Sequence, residues 1–253
     1  FTYTSSNNNI AVVSGNNINI IGAGTATITA TQSNDNNYNG GTISTSIVIA
    51  KANPVFGTFN SYNKSIGDAS FTITAPLSNS NGNITYTSSN LNVATVTGST
   101  VSIIGAGTTT ITATQASTSN YNSGVITTTI TVGQSLPTIT GFNNINKTFG
   151  DGNFTLTNPT SNSNGTFIYS SSNSNVATIN GNIVTIIGAG TTTITATQAS
   201  TNNYSAGSTS AILTVAKANP VITSINPITK YVGDSDFAIN DPSSNSNGQF
   251  TYT

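Results

Sequence analysis

Three lysine–aspartate pairs are the side chains in this sequence whose types and spacing could do chemistry. Lys64 stands four residues before Asp68, Lys147 before Asp151, and Lys230 before Asp234. An amine and a carboxyl held together out of water can condense to an amide and cross-link a domain to itself. That condensation normally needs a neighbouring buried carboxylic acid to move protons, and this chain has only six acidic residues, all of them Asp. The plainer reading of K-x-x-G-D is a Gly-Asp turn whose carboxylate accepts from local backbone amides, beside a solvated Lys. Asp234, Asp236 and Asp241 are the one cluster of acids in the sequence. Calcium takes about six to eight oxygens, several from carboxylates, and one period earlier two of these three positions are Asn153 and Asn158. No metal site is expected.

Other chemistry is excluded more simply. The sequence has no His and no Cys, so its many Ser and Thr hydroxyls lack the base that would activate them. No catalytic residue and no cofactor are expected. The Gly-Ala-Gly strings at 22–24, 105–107 and 188–190 end on Gly24, Gly107 and Gly190. Each leads into a strand pattern rather than a helix, so no helix N-terminus is present to hold a phosphate. They read as turn corners.

These residues are positioned by repetition. IIGAGTATITATQ at 20–32 returns as IIGAGTTTITATQ at 103–115 and 186–198, and the whole sequence recurs every 83 residues without insertion or deletion. A fixed long period means that each repeat is one folded unit. FTYT at 1–4 and again at 250–253 makes the chain three periods and four residues long, as expected of a window on a longer array.

Within the period 52–134 the signal is β throughout. In 108–115, Thr109, Ile111 and Ala113 face one way and Thr108, Thr110, Thr112 and Thr114 the other, the alternation of a half-buried strand. Like runs fall at 71–75, 84–88, 92–96, 100–104 and 125–132, with a shorter one at 55–59, separated by Gly-Asp, Asn-Gly and Gly-Ala-Gly turn signals. Thr, Ile and Val dominate, and no helical periodicity is visible. Seven short strands in one period predict an all-β chain of tandem immunoglobulin-like β-sandwich domains of 83 residues forming a semi-rigid rod. The expected core is Phe71, Ile73, Tyr86, Val96, Ile103, Ile111 and Tyr121 with their counterparts. Outward Thr rows such as Thr25, Thr27, Thr29 and Thr31 read as a solvated face, since an ice-binding lattice needs a flatness that a twisted sandwich lacks.

Four strings in fixed order carry a resemblance: Lys64 to Phe71 (K-x-aliphatic-G-D-x-x-F), YTSSN-x-x-VATV at 86–96, IxGAGTTTITATQ at 103–115, and NYN at 120–122. Together they resemble bacterial Ig-like tandem repeats of the MBG (YGX) type, found in large surface proteins and adhesins, with similar units in some viral and phage proteins. The Tyr of that family's Y-G-D turn is Ile66, Phe149 and Val232 here, so any role of its hydroxyl is absent. The resemblance implies a structural or adhesive stalk and identifies no ligand.

Motif order sets the expected units: 52–134 and 135–217 as complete repeats, 1–51 as the C-terminal part of one, and 218–253 as the N-terminal part of another. A Pro follows each final strand at Pro54, Pro137 and Pro220, which stiffens the junctions. Only 4% of residues are charged and the net charge is −1. Nucleic acid and anionic membranes, which demand basic patches, are excluded as partners. No apolar run approaches the ~20 residues of a transmembrane helix. The expected partners are neighbouring repeats and further copies of the chain, because a nearly uncharged surface lacks repulsion. Surface glycans are the alternative. An extracellular, cell-surface or virion-surface location is expected, and Asn63 and Asn146 are the N-glycosylation sequons that recur in register.

Overall fold

The computed structural model describes all 253 residues. Their packing divides them into two units, Phe1–Ser135 with Asn202–Ser205, and Leu136–Thr201 with Ala206–Thr253. The chain is all β. The first period contributes β1 (Thr2–Ser5), β2 (Ala11–Ser14), β3 (Asn17–Ile20), β4 (Gly24–Gln32) and β5 (Gly41–Ile49). The second contributes β6 (Tyr62–Ser65), β7 (Phe71–Thr72), β8 (Ile84–Ser88), β9 (Ala94–Thr97), β10 (Thr100–Ile103), β11 (Gly107–Gln115) and β12 (Gly124–Gly133). The third adds β13 (Ile139–Thr140), β14 (Ile145–Thr148), β15 (Phe154–Thr155), β16 (Thr160–Ser161), β17 (Phe167–Ser171), β18 (Ala177–Asn180), β19 (Ile183–Ile186), β20 (Gly190–Gln198) and β21 (Gly207–Ala216).

In the first unit, β6-β12-β11-β8 form one sheet and β7-β10-β9 another. β6 runs parallel to β12, with Tyr62 opposite Ile130, and the other pairings are antiparallel. The first strand therefore lies beside the last, and the second, fifth and fourth strands make the opposite sheet, which is an immunoglobulin-like sandwich. Residues 1–51 build β1-β4-β5 and β2-β3 in the same unit. The second unit repeats the sandwich as β14-β21-β20-β17 and β15-β19-β18, again with a parallel edge, Ile145 opposite Leu213. Residues 218–253 contain no strand, only the bridge between Ile222 and Ser244.

Alternation along β11 builds the core. Thr109, Ile111, Ala113 and Gln115 are buried, while Thr110, Thr112 and Thr114 on the other face are half-buried by the flanking strands. Ile111 and Ala113 pack with Phe59, Ile73, Val93, Ala94, Val101, Ile130 and Val132. Removing each such Ile or Val side chain from water contributes about 1.5–3 kcal/mol. Leu156, Val176, Ala177, Val184, Ile194, Leu213 and Val215 make the matching cluster in the second unit.

Three expectations need correction. The run at 55–59 forms no strand, only a bridge from Phe56 to Ser78, and the edge strand is instead Tyr62–Ser65. Pro54 and Gly57 interrupt the earlier segment, while Tyr62–Ser65 is recruited by its distant parallel partner. Tyr121 does not join the core; it bridges to Ala52 at the start of its own repeat. Phe71, Tyr86, Val96 and Ile103 line the core only partly buried, because each lies on or beside an edge of its sheet.

Candidate functional site

The recurring polar residues converge on backbone. In the turn after β6, Asp68 accepts the Ser65 amide through Oδ2 at 2.9 Å, and its own amide donates to the Ser65 carbonyl at 3.1 Å. Asp151 does the same with Thr148, and Asp234 with Tyr231. Gly67, Gly150 and Gly233 carry the turn at φ between 93° and 102°, a region that a side chain rarely adopts. Lys64 Nζ lies 4.7 Å from the Phe71 ring centroid, Lys147 4.9 Å from Phe154, and Lys230 4.8 Å from Phe237. The lysine is therefore seated on a ring rather than simply solvated. Amine and carboxylate of each pair are committed to different partners, and the arrangement braces the turn onto the next strand. It forms even in 218–253, where no sheet surrounds it.

The Gly-Ala-Gly corners serve backbone geometry. Gly24, Gly107 and Gly190 have φ of 144°, 142° and 146°. A Cβ on Gly107 would meet Val93 Cγ2 at 2.9 Å, and one on Gly190 would meet Val176 Cγ2 at 3.0 Å. The corner turns the chain tightly over a buried valine before the long strand begins.

Two polar positions inside the sandwich were not singled out from sequence. Gln115 is 2% exposed. Its Nε2 donates to the Ser80 carbonyl at 2.9 Å and the Gly82 carbonyl at 3.0 Å, and its Oε1 accepts from Ser78 Oγ at 2.7 Å. Gln198 repeats this with Ser163, Gly165 and Ser161. Buried Thr109 joins Ser88 Oγ at 2.8 Å and accepts the Asn90 amide at 2.9 Å, as Thr192 does with Ser171 and Asn173. The signal for both was available: a polar residue at inward parity in an otherwise apolar row, Gln in all three periods at 32, 115 and 198, and Thr in two, with Ala26 in the first. No buried side-chain N or O atom lacks a hydrogen-bond partner.

The remaining candidates stay apart. Asp241 accepts from the Tyr252 hydroxyl while Asp234 is held in its turn, and no three acidic side chains gather. Asn63 and Asn146 are exposed on their edge strands. Burial pushes the Tyr86 and Tyr169 phenols above the usual tyrosine range. The amides of Asn37 and Tyr38 hold the Asp35 carboxyl below the usual range. A surface concavity of about 380 Å³ is lined by Asn158, Phe167, Ile168, Tyr169, Gly181 and Asn182. No helix is long and apolar enough to cross a membrane.

No protein-family model and no curated protein sequence matches this chain. Solved structures do. Mouse protocadherin-24 EC1-3 is 13% identical over 85% of this chain and 90% of its own, with a TM-score of 0.27. Drosophila N-cadherin EC1-4 is 14% identical over 85% of this chain and 66% of its own, with a TM-score of 0.32. A SusE-like surface-located polysaccharide-binding protein of Bacteroides thetaiotaomicron is 13% identical over 67% and 35%, with a TM-score of 0.25. Likeness at this level concerns the β fold and nothing finer.

Proposed function

We propose that this chain is a non-enzymatic structural segment of an extracellular or virion-surface stalk, built from tandem Ig-like repeats of the MBG type. In this reading 52–134 and 135–217 are whole units, and 1–51 and 218–253 are parts of two more. One observation carries it. The polar residues that recur in register hold turns and loops in place: Asp68 and Asp151 cap their turns, Lys64 and Lys147 cover rings, and Gln115 and Gln198 pin loops. Repetition preserves what makes a unit stiff.

The alternative is an adhesin whose repeats themselves bind glycans or a host surface. The concavity around Tyr169 favours it, since aromatic and amide side chains are suited to sugars. Against it, the Tyr169 hydroxyl is already bonded to Asn158 at 2.7 Å, and one period earlier that Asn is Ala75. The whole chain, immobilised and assayed against glycans, ice and host-cell surfaces, should bind none specifically. Saturable binding that is lost with Tyr169→Ala would overturn the spacer reading. We further take the array to be one continuous polypeptide extending head to tail as a filament. Mass spectrometry of denatured native material should then find a species far heavier than 25.7 kDa, and a dominant species at that mass would replace continuity with strand exchange between chains.

A further inference from the structure

The Gly-Ala-Gly corner has a second property, on its outer side. The Ala23 amide donates to Asn120 Oδ1 at 3.0 Å, and the Ala106 amide to Asn203 Oδ1 at 2.9 Å. Both partners lie 97 residues downstream, in the Asn-Tyr loop of the next period, and all four residues belong to the first unit. The backbone of the same Asn is engaged as well. The Asn120 carbonyl accepts the Ala52 amide at 3.0 Å, and the Asn203 carbonyl accepts the Ser135 amide at 3.1 Å. Two residues past each Asn, the chain returns a bond: the Asn122 amide donates to Ala52 at 2.8 Å and the Ser205 amide to Ser135 at 3.0 Å. One asparagine thus holds the joining segment with its main chain and the preceding corner with its side chain.

The corner's glycine is demanded by its own repeat: a Cβ on Gly22 would meet the Asn9 carbonyl at 2.7 Å, one on Gly105 the Asn92 carbonyl at 2.5 Å and one on Gly188 the Asn175 carbonyl at 2.7 Å. The visiting loop comes close to the surface so formed, with Asn120 Oδ1 3.0 Å from the Gly22 Cβ position and Asn203 Oδ1 3.4 Å from that of Gly105. Gly22 and Gly105 are buried, whereas Gly188, with no such loop against it, is only half-buried and Ala189 is exposed. The loop keeps the same turn bond seated or unseated. The Thr118 amide reaches the Tyr121 carbonyl at 2.9 Å in the seated loop, and Asp35 reaches Tyr38 at 3.0 Å in the loop of the first period, which seats on no corner. There the Asp35 carboxylate also accepts the Asn37 and Tyr38 amides, both at 2.8 Å.

We propose that the Gly-Ala-Gly corner is the receiving half of a repeat-to-repeat clasp whose inserting half is the asparagine of the next repeat's Asn-Tyr loop, and that the corner at Gly188–Gly190 takes the Asn-Tyr loop of a further copy of the repeat. The clasp at Ala23 and Ala106 stands on its own geometry; its extension to Ala189 rests on the reading of the chain as part of a tandem array. Each junction then carries a polar latch from the corner of one repeat to the loop of the next.

Amide hydrogen exchange on the whole chain tests the clasp. Ala23 and Ala106 should exchange at least about fivefold more slowly than Ala189, the equivalent of one net hydrogen bond. Asn120→Ala should release Ala23 alone and Asn203→Ala should release Ala106 alone, while Asn120→Asp, which keeps the acceptor oxygen, should retain protection. Equal exchange at all three alanines in the unaltered chain, or an Ala23 rate indifferent to Asn120→Ala, would overturn the clasp. For the extension, residues 88–134 can be joined in register after Thr253, which supplies the missing loop. Ala189 should then become as protected as Ala106, and should not when the appended copy carries Asn120→Ala. An Ala189 that stays unprotected in the extended chain would overturn the extension while leaving the stalk assignment to its own binding assay.

Discussion

Replacing Gln115 with Ala removes three hydrogen bonds from a site 2% exposed to solvent. The amide nitrogen leaves the Ser80 and Gly82 carbonyls, and the amide oxygen leaves Ser78 Oγ. At about 1 kcal/mol net for each bond the loss is about 3 kcal/mol, and the partners stranded beneath the loop keep it from being smaller. For a unit of this size that corresponds to roughly 12–24 °C in the melting of the repeat. The molecule supplies its own control: Gln32 occupies the same place in the period but is exposed, so Gln32→Ala should cost no more than ~0.5 kcal/mol. A tandem chain need not melt as one two-state unit. The assay is therefore a urea titration followed by NMR, reading Ala113 in this repeat and Ala196 in the next. Gln115→Glu sharpens the test, because a carboxylate has no proton to give Ser80 and Gly82. Its penalty should be smallest below the ordinary Glu value of about 4.3, where the neutral acid still donates one of the two bonds, and grow as pH rises through it. If Gln115→Ala proves no more harmful than Gln32→Ala, burial of this amide is not what anchors the loop from Ser78 to Gly82.

Gly107→Ala forces a side chain into φ of 142° and against Val93, so it should destabilise its repeat by about 1–3 kcal/mol in the same titration. Lys64→Ala removes the cation over Phe71 and should cost only about 0.5–1 kcal/mol, with Lys64→Arg recovering most of it. Thermal stability should stay flat from about pH 5 to pH 9, because the chain has no His or Cys side chain to titrate there. It should fall under alkali: Tyr86 and Tyr169 are raised by burial, so their contribution is complete below the ordinary tyrosine value and is lost as pH climbs through the folded one. A chelator should leave the melting curve unchanged, and a drop on adding EDTA would reveal a cation holding the junctions.

Much of this molecule was written in local pattern. Alternating Thr, Ile and Ala at 107–115 can be satisfied only by an extended chain with one dry face, so the long strands and the corners that begin them follow from residue order alone. Period and turn chemistry likewise determined the Lys64–Asp68 turn, which forms at Lys230–Asp234 without a sheet around it. Tyr62–Ser65 was invisible by the same logic: four residues, two of them Asn and Lys, become a strand only because Ile130–Gly133 offers a parallel edge far along the chain. So was the second use of the Gly-Ala-Gly corner, since nothing near Ala23 in sequence announces Asn120. The clearest case is the string TITATQ, spelled identically in all three periods. It ends on a buried glutamine at 115 and 198 and an exposed one at 32. Sequence sets which way each side chain points, but whether it is buried depends on what packs over it, and for Gln115 that cover is the loop from Ser78 to Gly82.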